Sequence, residues 1–140
     1  KCEQFRSLKT LLLSNNHLAD SGAIALANSK NLTNLETLNL DDNQWIASEG
    51  ARAIAESDGL SNLRELGLTL NRIGDKGAFF LANSSKLSGL TSLSVAGNRI
   101  SPAGDAALTS STSLNLKVLD TYLFFFNFFS LLFFIIFFIG

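Results

Sequence analysis

A nine-residue pattern, L-x-x-L-x-[LV]-x-x-N, returns four times in this chain and leaves it little freedom of fold. It reads LKTLLLSNN from Leu8 to Asn16, LETLNLDDN from Leu35 to Asn43, LRELGLTLN from Leu63 to Asn71 and LTSLSVAGN from Leu90 to Asn98. The leading leucines are 27, 28 and 27 residues apart. A glycine follows each Asn by six residues at Gly22, Gly77 and Gly104, and by seven at Gly50, where one residue is inserted around Trp45 and Ile46. Four residues past each glycine stand Leu26, Ile54, Leu81 and Leu108, and ten past it Leu32, Leu60, Leu87 and Leu114. A fixed period of this length marks a repeat architecture.

The alternation L-x-L has a period of two, so Leu11 and Leu13 point to one side of a short strand and Leu12 to the other. The stretch GAIALANS, after Ser21, carries small and aliphatic residues at helical spacing. Asp20, Ser48 and Asp75 stand where helix N-caps are expected, and Ser101-Pro102 reads as an N-cap followed by Pro at the first helical position. Each repeat is then a strand, a turn and a helix. One such unit cannot bury its own apolar face, but a stack can. The fold expected is α/β: a solenoid with a parallel sheet on its concave face and helices on its convex face, spanning residues 1–121. Its full repeats start near Leu8, Leu35, Leu63 and Leu90, and a partial one near Leu116, where LKVLDTYLF begins one residue early and loses the pattern by Phe124.

With these residues in view, the chain resembles the ribonuclease-inhibitor-like class of leucine-rich repeats, a class also found in cytosolic immune receptors and Ran GTPase-activating proteins. GAIALA, from Gly22, is similar to GALA-type effector repeats. The resemblance implies that Asn16, Asn43, Asn71 and Asn98 form a buried ladder whose amides bond to the turn and to the next repeat. It also implies a partner-binding concave face. By alternation, that face carries Thr10, Leu12 and Ser14; Thr37, Asn39 and Asp41; Glu65, Gly67 and Thr69; and Ser92, Ser94 and Ala96. Asn15, Asp42, Leu70 and Gly97, each just before a ladder Asn, extend it. The glycines are expected to sit where a side chain would strike the neighbouring backbone.

Composition narrows the function classes. The 140 residues are one domain by size, and the formal net charge is −1 with scattered cations. A duplex binder needs a stripe of Lys and Arg against phosphates, so no nucleic-acid partner is expected. The single cysteine, Cys2, cannot close an internal disulfide, which fits a reducing, cytoplasmic setting. Asp41, Asp42 and Glu65 form one acidic grouping, but no nucleophile–base pair accompanies them, and no enzyme activity is expected. His17, the sole histidine, has no Cys or His neighbours in sequence, so no metal or cofactor is expected. The glycines never cluster into a phosphate loop.

The function expected is a protein–protein interaction scaffold. One alternative is a regulator of a small GTPase acting through Arg72 or Arg99, the turn arginines that follow two ladder asparagines. Another is a membrane-anchored receptor or sensor, which depends on the tail. Residues 122–140, YLFFFNFFSLLFFIIFFIG, hold nine of the twelve Phe residues. Leu123 to Ile139 is 17 uncharged residues, about 25 Å as a helix and at the lower limit for a membrane span. The same stretch also reads as a read-through peptide from T-rich non-coding sequence, or as a packed cap. Phe5 stands before Leu8 as Leu32 stands before Leu35, and the chain begins at Lys1, so a fragment of a longer repeat array is expected.

Overall fold

The computed structural model describes residues 3–121. A 3₁₀ turn, Glu3–Ser7, leads into five strands alternating with four helices: β1 (Thr10–Leu12), α1 (Asp20–Ala27), β2 (Thr37–Asn39), α2 (Ser48–Ala55), β3 (Glu65–Gly67), α3 (Gly74–Ala82), β4 (Ser92–Ser94), α4 (Pro102–Thr109) and β5 (Val118–Asp120). The strands form one parallel sheet in chain order. Leu11, Leu38, Leu66, Leu93 and Leu119 lie side by side across it. The fifth strand keeps this register although its repeat is short, so the loop before it absorbs the missing residue.

Leu38, Leu40, Leu66, Leu68, Leu93 and Val95 point under the sheet into a continuous core, joined from the helices by Ile54, Leu81 and Leu108. Each fully buried leucine or isoleucine contributes about 2 kcal/mol by leaving water. Adjacent helices pack on one another through Ala23, Ala27, Ala51, Ala55, Ala78 and Ala82, whose small side chains let the helix layer close. That layer covers one face of the sheet only. The tail 122–140, with its membrane, read-through and cap readings, lies outside the described residues. Among the described residues no helix is long and apolar enough to cross a membrane.

The asparagine ladder runs in the direction opposite to the one expected. Asn43 is fully buried, and its Nδ2 donates to Leu40 O at 2.8 Å in its own turn and to Leu13 O at 2.9 Å in the preceding repeat. Its Oδ1 accepts from the N–H groups of Asn16 and Leu18, again in the preceding repeat. Asn98 repeats this toward Leu68 O and Ile73 N–H. Asn71 donates to Leu40 O and Leu68 O, but its buried Oδ1 has no protein partner. The inserted residue explains the gap. In the flanking repeats the N–H two residues past the Asn, of Leu18 or Ile73, fills the ladder oxygen, whereas in repeat 2 the N–H at that offset, of Trp45, turns back onto Asn43 O at 2.7 Å. Asn16 departs from the ladder: its side chain is exposed and donates only to Ser14 O. No preceding repeat among the described residues offers it a carbonyl.

The capping acids were also placed one repeat away from where the sequence puts them. Asp20 and Ser48 do not cap their own helices; the caps of α1 and α2, Ala19 and Ala47, make no side-chain cap bond. Instead Asp20 Oδ1 accepts from Ala47 N–H at 2.7 Å and Gly50 N–H at 2.8 Å, satisfying orphan donors at the start of α2. Asp75 does the same for α4, accepting from Ser101 N–H and Ser101 Oγ–H, both at 2.7 Å. Those hydrogen bonds from Ser101, the side-chain one foremost, hold the Asp75 carboxyl below the usual carboxylate range. Ser101 also caps α4 as expected, accepting from Ala103 N–H, with Pro102 first in the helix. The crossing carboxylates explain two glycines better than the neighbouring backbone does. A Cβ at Gly50 would lie 2.6 Å from Asp20 Oδ1, and one at Gly104 2.6 Å from Asp75 Oδ1.

A second polar ladder runs behind the helices. Ser57, Ser84 and Ser111 donate from Oγ to the carbonyls of Ala27, Ala55 and Ala82, each in the repeat before. Ser84 and Ser111 also accept from N–H groups three residues on, fixing the descent toward the next strand. The sequence carried the sign: a serine stands seven residues after every repeat glycine, at Ser29, Ser57, Ser84 and Ser111.

Candidate functional site

The uncovered face of the sheet is where side chains are free of the core. Thr10, Leu12, Ser14 and Asn15 are exposed along the first strand, with Leu12 64% exposed. Thr37, Asn39, Asp41 and Asp42 are half-buried in the second row. Glu65 is exposed and Thr69 half-buried in the third, and Ser92 and Ser94 are half-buried in the fourth. Alternation therefore brings these residues onto one face. Ala96 departs from the expectation: it is 1% exposed and lies beneath the surface.

The middle of this face is internally bonded. Asp41 leans over the next strand and accepts from Thr69 N–H at 2.7 Å, in space that exists because residue 67 is glycine; a Cβ there would lie 2.8 Å from the carboxylate. Asn39 Oδ1 accepts from Asp41 N–H, and Thr37 Oγ1 donates to Glu65 at 3.4 Å. Asp41 and Glu65 thus face the open side as acceptors already partly occupied. On the flank before the strands, Lys9 pairs with Glu36 at 2.8 Å, and that hydrogen bond raises the Lys9 amine above its usual range. Among the described residues no group of His, Cys, Asp or Glu is placed to hold a metal ion.

The strands end on a rim of left-handed residues. Asn15, Asp42, Leu70 and Gly97 have φ of 55°, 53°, 56° and 70°. Asn, Asp and Gly tolerate that region, whereas Leu is strained there by about 1–2 kcal/mol. Leu70 is nonetheless kept, with 42% of its surface exposed. Beside it the insertion in repeat 2 resolves into two roles. Ile46 fills the core slot and is fully buried, while Trp45 is pushed out and is 53% exposed. The Arg72 guanidinium lies over the Trp45 ring, 4.2 Å from its centroid. This pairing of an aromatic and an arginine beside the open face was not read from the sequence. Its only sequence signal is that both residues follow a ladder Asn in adjacent repeats, Arg72 directly and Trp45 after Gln44.

Two stretches match known family models. Residues 6–51 match one described as Leucine Rich repeats in two copies, and residues 59–82 match one described as Leucine Rich repeat. No curated protein matches the chain.

Proposed function

From the premise that this chain is a leucine-rich repeat protein, we propose that it is a recognition scaffold that holds a protein partner on the concave face of its sheet and performs no chemistry of its own. Leucine-rich repeats generally serve as protein–protein interaction modules. The observation that carries the reading is the division of labour within each strand. Leu38, Leu66 and Leu93 complete the core beneath, so the alternate side chains from Thr10 to Ser94 lie outside the core on a face that no helix covers. The repeat length and the Ala-rich helices support the ribonuclease-inhibitor-like class, and the single cysteine supports a cytoplasmic setting.

The test compares faces. A partner recovered with the full chain is cross-linked to it, and capture is repeated with Leu12→Glu plus Ser94→Arg on the open face and with Ile24→Arg on the helix layer. Loss of capture with the open-face variant alone is expected. Loss with the helix-layer variant alone would overturn the reading.

A further inference from the structure

We propose that the rim of the open face at Trp45, Arg72 and Arg99 binds an acidic, extended peptide segment of the partner, with its carboxylates on the two guanidinium groups and an apolar or flat side chain against Trp45. This rests on the recognition-scaffold reading and names the chemistry of the segment recognised.

Three observations carry it. The first is unspent charge. Four ion pairs are formed among the described residues, and they use Lys9, Arg52 and Lys86. Arg72 and Arg99 take part in none and make no side-chain hydrogen bond there, so their donors face solvent. The second is placement. Each follows its ladder Asn directly, and β3 and β4 pair in register with Glu65 opposite Ser92, so the two arginines share a sequence position in adjacent repeats, Arg99 on a left-handed backbone (φ 58°) and Arg72 not. Adjacent strands are about 4.8 Å apart, within side-chain reach of carboxylates two residues apart on an extended peptide, about 7 Å. The third is the stack. The Arg72 guanidinium carbon lies 4.2 Å from the Trp45 ring centroid, and a guanidinium held on an aromatic face uses none of its N–H donors there, which leaves them for a carboxylate.

Leu70 adds an apolar contact beside the stack and is held in a left-handed conformation that its counterparts meet with Asn, Asp or Gly. Strain kept at an exposed residue is a mark of binding surfaces. Trp and Arg are also the residue types that dominate interface hot spots. The acidic residues nearby set the path of the segment. Asp42, whose carboxylate accepts from Gln44 Nε2 at 3.3 Å, lies on the same rim, and Asp41 lies on the floor. An acidic segment is therefore turned away from the floor and along the rim toward Arg99.

Trp45 is the sole tryptophan, so its emission in the full chain reports the site directly. The probes are Ac-EEFEE-NH2, its Gln and Lys counterparts, and a heparin tetrasaccharide. A saturable change in Trp45 emission is expected with the Glu peptide and not with the Gln or Lys peptides. Arg99→Gln, which leaves the Trp45 stack in place, should weaken the Glu peptide about threefold, and Arg72→Gln at least as much. Asp42→Asn should tighten it about twofold. Equal affinity for the Gln peptide, or no effect of either arginine variant, overturns the proposal. An equal response to heparin overturns it too, by showing general polyanion attraction. If the Glu peptide fails while open-face variants still abolish partner capture, the rim assignment alone falls. If neither rim nor open-face variants affect capture, the scaffold reading falls with it.

Discussion

Repeats 1 and 2 carry nearly the same pattern, yet the same residue type does different work in each. Asn43 is buried and gathers partners from two repeats, whereas Asn16 is exposed and bonds only within its own turn. Ser57 reaches back to Ala27 O, while the described bond of Ser29 is acceptance from Asn31 N–H in its own loop. The difference teaches where stability resides. Asparagine, serine and aspartate groups all bond across the boundary between repeats, so a repeat is completed by its neighbour. The interface between units, more than the unit itself, holds the solenoid together.

The largest expected effect tests that contrast directly. Asn43→Ala leaves several buried backbone groups without partners and should cost about 3 kcal/mol, with Asn71→Ala nearer 2 because its Oδ1 makes no bond, and Asn16→Ala within about 0.5. Urea midpoints of the three variants check the order; an Asn16 variant as damaging as the Asn43 variant would mean that the ladder is not what separates the repeats.

A smaller effect concerns the acid bridge between repeats 3 and 4. The Asp75 carboxyl has a lowered pKa in the folded chain, so its contribution is fully present above the unfolded value, about 4. It is lost as pH falls through the lower folded value. Stability should therefore fall with acid in that window in the parent, and the fall should be shallower in Asp75→Asn. Parallel profiles from pH 6 to pH 2 would remove Asp75 from the account.

The smallest effect separates repeat 3 from its neighbours. Leu70→Asn places in the left-handed turn a residue type that repeat 1 already uses there, and should stabilise by about 0.5–1 kcal/mol. If the variant melts lower than the parent, the Leu70 side chain contributes packing that outweighs its strain.

The 27-residue period, the core leucines, the parallel strand order and the face of the sheet left outside the core were all readable in the one-dimensional pattern. Each follows from periodicity within a single unit, where alternation and helical spacing dictate which side chains share a side. The cap at Ser101 and Pro102 is local in the same sense. What the pattern left open needed two repeats brought together. The direction of the asparagine ladder, the crossing of Asp20 and Asp75 to the next helix, and the serine ladder join residues 25 to 31 positions apart. The inserted residue in repeat 2 could be counted in the sequence. Only packing against repeats 1 and 3 decided that Ile46 turns inward, that Trp45 turns out beneath Arg72, and that Asn71 loses a partner, because a side chain takes its place by excluding others from it.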